Sequence, residues 1–312
     1  MAGLLAIGEC MMELTPQVSS QGQSGYNRAF AGDTYNALVY AKRSVSDIDA
    51  YFFTAIGTDD ISNVMSSTWR QEGINPSFAL PLNHATIGLY AISTDDSGER
   101  SFSYWRKDSA ATQMMTVKPV DELIKACPKV NCVFFSGISL GILSEDDKAL
   151  LINFVKGLRM QGVKVAFDPN YRPAMWADIN HAIFWLEQAY SNSDIVLPGE
   201  EDHQALFQHQ GHEAIANYCE KLGVNESVIK CGEQGTFVYQ QGQKSSAGFE
   251  FYQQIATKFI ESKGLPELLI NQINQSDALS FFTPALKLDD NFTKTNQQQR
   301  KVYNNKSAAI SY

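Results

Sequence analysis

The stretch "CVFFSGISLGILSEDDKALLINFVKGLRMQGVKVAFDPN", residues 132 to 170, decides the fold class. Its first segment, "CVFFSGISL", is a short apolar run that reads as a buried strand. The period then changes: Ser144 and Asp147 have the spacing of a capping box, and Leu150, Leu151, Phe154, Val155 and Leu158 fall on one face of a helix. "KVAFDPN" returns to strand. Strand, amphipathic helix and strand in succession make a βαβ unit, whose strands run parallel.

The same alternation extends in both directions. "AYFFTAI", residues 50 to 56, is a strand closed by Gly57; the next helix carries Ile61, Val64, Met65 and Trp69 on one stripe and stops at Gly73. Downstream, "INHAIFWLEQAY" is a helix, while "DIVLPGE", "SVIKCG" and "TFVYQQ" are strands. The start, "MAGLLAIGEC", lacks a basic region and its apolar run breaks at Gly8-Glu9, so it reads as a first strand rather than a signal peptide. The prediction is an α/β fold with a mostly parallel sheet, helices on both faces, and ligands at the carboxyl ends of the strands. No internal repeat interrupts it. One region breaks the rhythm: "ATIGLYAISTDDSGERSFSYWRK", residues 85 to 107, is a β-hairpin turning at Asp95-Asp96-Ser97-Gly98. A hairpin has too little core to stand alone, so this one packs on a partner subunit or covers a site as a lid.

Composition narrows the function classes. The 312 residues suffice for one α/β domain or two modest ones, and 44% hydrophobic with 19% charged residues is ordinary for a globular chain. Twenty-five basic against 34 acidic residues give a net charge of −9, which argues against general binding to nucleic acid or anionic membranes. The five cysteines show no Cys-x-x-Cys pair, so neither a disulfide framework nor a zinc site is favoured, and a reducing cytoplasm fits. No run approaches the roughly 18 apolar residues of a membrane span.

Four short stretches carry candidate chemistry. In "YNRAFAGDTYNALVYAKR", residues 26 to 43, Gly32, Asp33 and Asn36 stand at the mouth of a helix, either as an N-cap or as a site for a polar small molecule. In "YWRK", the period of two puts Tyr104 and Arg106 on one strand face and Trp105 on the other. Arg106 there and Arg172 in "DPNYRP" are what an anionic ligand requires, because a guanidinium grips a carboxylate through two parallel N–H bonds. "IKCGEQG" joins two strands and is not a Walker A loop, which would need Gly-Lys-Ser/Thr running into a helix. In "LPGEED", Glu200, Glu201 and Asp202 read equally as first-turn acids answering a helix dipole, so no metal ligand is assigned; nearby His203, His209 and His212 read as surface residues.

Taken together, "IGECMMEL", "FAGDTYNALVYAKR", "TAIGTDD", "GLYAISTDDSGERSFSYWR", "SGISLGILS", "FDPNYRPAMWA" and "IKCGEQG" occur in the order and at about the spacing of the ribokinase-like (pfkB) sugar kinases. Over residues 3 to 243 the chain resembles that family, and most of all those members that act on 2-keto-3-deoxygluconate. The resemblance implies a ribokinase-like sheet with a small β lid and a kinase domain over residues 1 to 243. It also implies a cytoplasmic enzyme that uses ATP and Mg2+ to make the 6-phosphate of that sugar acid, with fructokinase as the alternative specificity. It assigns Gly32, Asp33, Asn36, Tyr90, Tyr104, Arg106 and Arg172 to the sugar acid, and Asn170, Lys230, Gly232 and Gly235 to the nucleotide. Arg172 then also supports the transition state. The partners implied are the sugar acid, ATP and a second copy of the chain docked through the lid.

Residues 244 to 312 depart from the family. The expected Gly-Asp segment, whose aspartate takes the proton from the attacking hydroxyl and whose glycine turn holds the γ-phosphate, is absent. Asp277 and Asp289-Asp290 have no preceding glycine. The tail, rich in Gln, Asn, Lys and Ser, has about the length of the missing portion, which points to a changed reading frame. An inactive remnant that binds a sugar acid is therefore the rival expectation.

Overall fold

The structure, a computed structural model, describes residues 3–18, 24–94, 100–240 and 243–245. In chain order the strands are β1 (Gly3–Ile7), β2 (Met11–Val18), β3 (Ser24–Ala31), β4 (Asp49–Gly57), β5 (Ile74–Asn75), β6 (Ala79–Leu82) and β7 (Leu89–Thr94). They continue with β8 (Arg100–Trp105), β9 (Cys132–Ser136), β10 (Lys164–Asp168), β11 (Ile195–Val196), β12 (Glu226–Lys230), β13 (Thr236–Gln240) and β14 (Gln243–Ser245). The helices are α1 (Asp33–Ser44), α2 (Asp60–Gln71), α3 (Val120–Ala126), α4 (Gly137–Gly141), α5 (Glu145–Met160), α6 (Ile179–Ser191), α7 (Glu200–Phe207) and α8 (Gly211–Lys221).

The main sheet runs β14-β13-β12-β11-β10-β9-β1-β4-β5, with β6 also paired to β4. Its pairs are parallel except β12–β13 and β13–β14. The continuous apolar runs follow from burial on both faces, because alternate side chains must each find a core. Leu5, Ile7, Phe53, Val133, Phe135, Val165 and Phe167 join α5 and α6 in one cluster. Leu4, Ala6, Phe52, Phe134 and Ala166 join Tyr35 and Leu38 of α1 and Met65 and Trp69 of α2 in another. The adjacent pairs Phe52-Phe53 and Phe134-Phe135 are thus split between two cores, with Phe52 edge-on to Trp69 at 5.2 Å and Phe53 5.1 Å from Phe154. Burying each such ring stabilises the fold by about 1.5–3 kcal/mol. Ser144 opens α5 as expected, its hydroxyl accepting from the Asp147 N–H at 3.2 Å.

A second sheet, ordered β3-β2-β7-β8, stands apart as the lid. The hairpin at residues 85 to 107 supplies β7 and β8, and β2 and β3, unread as strands, complete it. Its register places Tyr90 opposite both Glu13 and Tyr104, and Leu89 opposite both Met12 and Trp105. One face therefore carries Glu13, Tyr90 and Tyr104, and the other Met12, Leu89 and Trp105.

Several expectations need correction. "CVFFSGISL" is strand only to Ser136; Gly137–Gly141 forms α4, because the Ser136 hydroxyl and Ser139 close a capping box. The helical stripe on α2 splits, with Met65 and Trp69 buried while Ile61 and Val64 are exposed and Ser62 and Ser66 go inward, since the helix covers only one edge of the sheet. "DIVLPGE" forms strand only at Ile195–Val196. Among the described residues no helix is long and apolar enough to cross a membrane, and all five cysteines are free thiols. The turn expected at 95–98 and the tail beyond Ser245 lie outside the described residues.

Candidate active site

A cleft of about 250 Å³, at the small end for ligand sites, lies between the lid and the carboxyl ends of the parallel strands. From the main body come Glu9 after β1, Ile138 after β9, Asn170 and Arg172 after β10, and Gly32, Asp33 and Asn36 at the start of α1. The lid contributes Met11, Tyr90, Phe102, Tyr104 and Arg106. The seven residues assigned to the sugar acid from sequence thus line one cleft, together with Asn170. Trp105 points to the other face, 61% exposed.

Local chemistry sets each position. Gly32 is the N-cap of α1 and makes no side-chain capping bond; Asp33 is the first helical residue, so the capping alternative for Asp33 is corrected. Asn36 instead reaches back, its Oδ1 accepting from the Gly32 N–H at 3.4 Å. A side chain at Gly32 would meet the Glu9 carbonyl oxygen at 2.0 Å, so the residue must be glycine for the strand to pass this close. At "DPN", the Asp168 carboxylate accepts from the Asn170 N–H at 3.1 Å, an Asx turn that holds Asn170 in the left-handed region at φ 33°. Asparagine tolerates that conformation, and such strained backbone is common at sites.

The cleft is electrically loaded. Burial pushes the Asp33 carboxyl up, and Asp168 pushes it further, against Ser136, Asn170 and Lys230. Its Oδ2 is buried with no hydrogen-bond partner among the described residues, an open acceptor for a ligand hydroxyl. Glu9 is buried beside Arg106, with Oε2 at 2.5 Å from Nη2, and Oε1 accepts from the Ser109 hydroxyl at 2.5 Å. Burial raises the Glu9 carboxyl more than Arg106 and Ser109 lower it. On the lid, the Tyr90 hydroxyl donates to Glu13, which fixes the ring toward Tyr104, 5.7 Å away.

Lys230 ends β12 and does not line this cleft; its ammonium pairs with the buried Asp168 at 2.7 Å. Gly232 and Gly235 follow in a 3-10 turn of the antiparallel β12–β13 hairpin, both at positive φ. Asp202, in the first turn of α7, accepts from the Tyr171 N–H at 3.3 Å; burial and then Asp168 raise its pKa, while that Tyr171 bond, then Lys230 and Arg172, oppose. Glu200 accepts from the Gly211 N–H at 3.1 Å. Reading His203 as a surface residue is corrected: it is fully buried, its Nε2 2.7 Å from the Tyr190 hydroxyl and its Nδ1 3.2 Å from that of His209.

The sequence profile described as pfkB family carbohydrate kinase matches residues 1–264. The chain is 36% identical over 243 residues to the 2-dehydro-3-deoxygluconokinase of Dickeya dadantii, covering 76% of each. It is 31% identical over 287 residues to the enzyme of the same name from Haemophilus influenzae, covering 86% of this chain and 90% of that one. This chain belongs to the pfkB family of carbohydrate kinases. Family members take a sugar and ATP, and typically a divalent metal. Among solved structures, this pfkB chain is similar to a PfkB protein from a Polaromonas species, with TM-score 0.71, 20% identity, and 85% and 90% of the two chains covered. The 2-dehydro-3-deoxygluconokinase of Thermotoga maritima superposes with TM-score 0.67 at 18% identity, covering 85% and 88%. These two likenesses support the ribokinase-like fold of the kinase.

Glu9, Met11, Phe102 and Ile138 line the cleft but were not singled out from sequence. Glu9 had a signal: a carboxylate directly after the first apolar strand stands at the carboxyl edge of a parallel sheet. Met11, Phe102 and Ile138 had none, because an apolar residue facing a cleft looks the same in sequence as one facing a core.

Proposed function

We propose that this kinase transfers the γ-phosphoryl group of ATP to the terminal hydroxyl of 2-keto-3-deoxygluconate, and that it works in the cytoplasm. One observation carries the reading: two guanidinium groups, Arg106 from the lid and Arg172 from the main sheet, line a single sugar-sized cleft. A neutral hexose has no use for two fixed cations, whereas a sugar acid has a carboxylate for them to grip. The names of the curated relatives support the same substrate. In this reading Asp33 and Asn36 bind the sugar hydroxyls and Gly32 lets the backbone approach. Tyr90 and Tyr104 close over the ring and exclude water.

Asn170, Lys230, Gly232 and Gly235 hold the nucleotide, and Arg172 steadies the charge that develops on the transferred phosphoryl group. Among the described residues no three His, Cys, Asp or Glu side chains converge as a metal site. A Mg2+ ion arriving with the nucleotide would find Asp202, in the first turn of α7, as a carboxylate to hold it. When bound, it neutralises charge on the β- and γ-phosphates. Residues 1 to 243 form the kinase domain in this scheme. The back face of the lid, where Trp105 is 61% and Tyr26 63% exposed, docks on a second copy to give a symmetric dimer.

A second reading, a sugar-acid-binding chain without turnover, is favoured by the absence of any Gly-Asp pair after Gln243. A coupled assay with ATP, magnesium and the sugar acid separates the two. Turnover of about 1–10³ per second supports the kinase reading. Calorimetric binding of the acid without phosphorylation supports the second. Turnover of fructose in preference to the acid overturns the proposed substrate.

A further inference from the structure

Resting on the sugar-acid reading, we propose that Glu9 is the residue that positions Arg106 and pins the lid to the main sheet. The chain passes between main sheet and lid four times: at 8–10 from β1 to β2, at 32 from β3 to α1, at 83–88 from β6 to β7, and at 106–109 as it leaves β8. All four passages meet at this one side chain or its backbone. Glu9 lies in the first. A Cβ on Gly32 would lie 2.0 Å from the Glu9 carbonyl oxygen, and a Cβ on Gly88 would lie 2.7 Å from Glu9 Oε1 and 3.2 Å from the Arg106 Cβ. Arg106 and Ser109, on either side of the last passage, both hold the carboxylate. Backbone bonds clamp the same junction, Met12 N–H to the Gly88 carbonyl at 2.9 Å and Ala110 N–H to the Thr86 carbonyl at 2.8 Å.

The physics of a buried pair explains why this contact matters. Glu9 and Arg106 have side chains 1% and 18% exposed, so each charge depends on the other in place of water. Glu9 Oε2 lies 2.5 Å from Arg106 Nη2 as an ion pair, while Glu9 Oε2 and the Nε and Nη2 of Arg106 are all buried without a hydrogen-bond partner among the described residues, so both nitrogens remain donors beside the cleft. The ion pair holds the guanidinium beside the cleft before a ligand arrives, which cuts the ordering cost of gripping a carboxylate. Tyr104 lies two residues before Arg106, so the same anchor fixes the end of β8 that faces the ligand.

The test compares Glu9→Gln and Glu9→Asp with the unaltered full chain in two ways. In calorimetry with 2-keto-3-deoxygluconate and its uncharged methyl ester, Glu9→Gln is expected to weaken the acid by about tenfold or more and the ester by much less. Glu9→Asp should recover part of the loss. In the background of Arg106→Gln, Glu9→Gln should add no further loss. Equal weakening of acid and ester, full additivity with Arg106→Gln, or tighter binding of the acid would overturn the proposal; the last would make Glu9 a competitor for Arg106.

Amide hydrogen exchange without ligand gives the second readout: Glu9→Gln should speed exchange in β2, β7 and β8 while β9 and β10 keep their protection. Unchanged lid exchange, or a uniform rise across both sheets, overturns the pin. If the unaltered chain binds neither acid nor ester, the sugar-acid reading fails and the exchange result still decides the role of Glu9. Should Glu9→Gln not fold, Ser109→Ala removes only the hydroxyl contact, and it should shift exchange in the same direction by a smaller factor; no shift there counts against the proposal.

Discussion

The main sheet and the lid sheet meet opposite demands from the same chain. The main sheet buries its central strands on both faces, and Leu5, Phe52, Phe53, Phe134, Phe135 and Phe167 are wholly inaccessible. Among the described residues the lid has no buried cluster of its own: Met12 joins the second core, while Tyr26, Phe102, Tyr104 and Trp105 are left with large exposed rings. Stability therefore resides in the main body, where apolar area is removed from water. The lid supplies a half-solvated face whose aromatic and charged groups become useful only when something lies beneath them. A surface that must bind cannot also be fully satisfied without its ligand, and the lid meets the body through the buried Glu9–Arg106 pair as well as through Met12, Leu14, Phe30 and Leu89 at the second core.

That contrast can be broken by experiment, beginning with the largest effect. Phe135→Ala should cost about 3–5 kcal/mol of unfolding free energy, read from a urea midpoint, because the rigid core cannot collapse around the hole. A loss below about 1 kcal/mol would place stability elsewhere than in the two-faced sheet. The buried His203 should make the main body acid-sensitive. Burial, and then His209, lower its pKa from 6.5 to about 3. A folded-state value below the unfolded one means that the unfolded chain takes the proton first, so stability is intact above pH 6.5 and is lost as pH falls toward 3. His203→Gln, which does not titrate, should remove on the order of 1 kcal/mol per pH unit from that slope. Identical slopes in the two proteins would exclude this histidine as the cause.

Smaller effects belong to the lid. Arg106→Lys keeps the charge but loses the fork, and should weaken sugar-acid binding by about 1–3 kcal/mol while leaving the urea midpoint nearly unchanged. Unaltered calorimetric affinity would remove Arg106 from the site. Smallest of all, Trp105→Ala should change unfolding free energy by no more than about 0.5 kcal/mol, since the ring is 61% exposed. Its effect should appear in assembly instead. Sedimentation of the unaltered chain at twice 34.7 kDa, falling toward the single mass in the variant, is the expected result; a monomer at micromolar concentration in both would count against docking through the lid.

The central strands and α5 were legible because burial on two faces forces unbroken apolar runs, and a helix covering them must keep period 3.6. The strands of the lid were half legible. β7 and β8 announce themselves by turn residues and aromatic alternation, whereas β2 and β3, with Thr15-Pro16-Gln17 and Tyr26-Asn27-Arg28, carry no such mark because little of their surface is buried. The polar members of the cleft were legible as types out of place: an arginine before proline, a carboxylate after glycine. His203 was misread because its partners, Tyr190 and His209, are brought to it by the packing of α6 and α7, which no local spacing encodes.

By itself the sequence determined the alternation of strands and helices, the polar residues at the strand ends, and the guanidinium groups suited to an anionic sugar, because periodicity and residue chemistry are local properties. Tertiary structure alone decided that the lid is four strands rather than two, that His203 is a core residue, and that four passages of chain converge on Glu9. Each of these depends on groups far apart in sequence, such as Glu9 and Ser109, being brought within 2.5 Å in a region that excludes water, where one charge decides the position of the next.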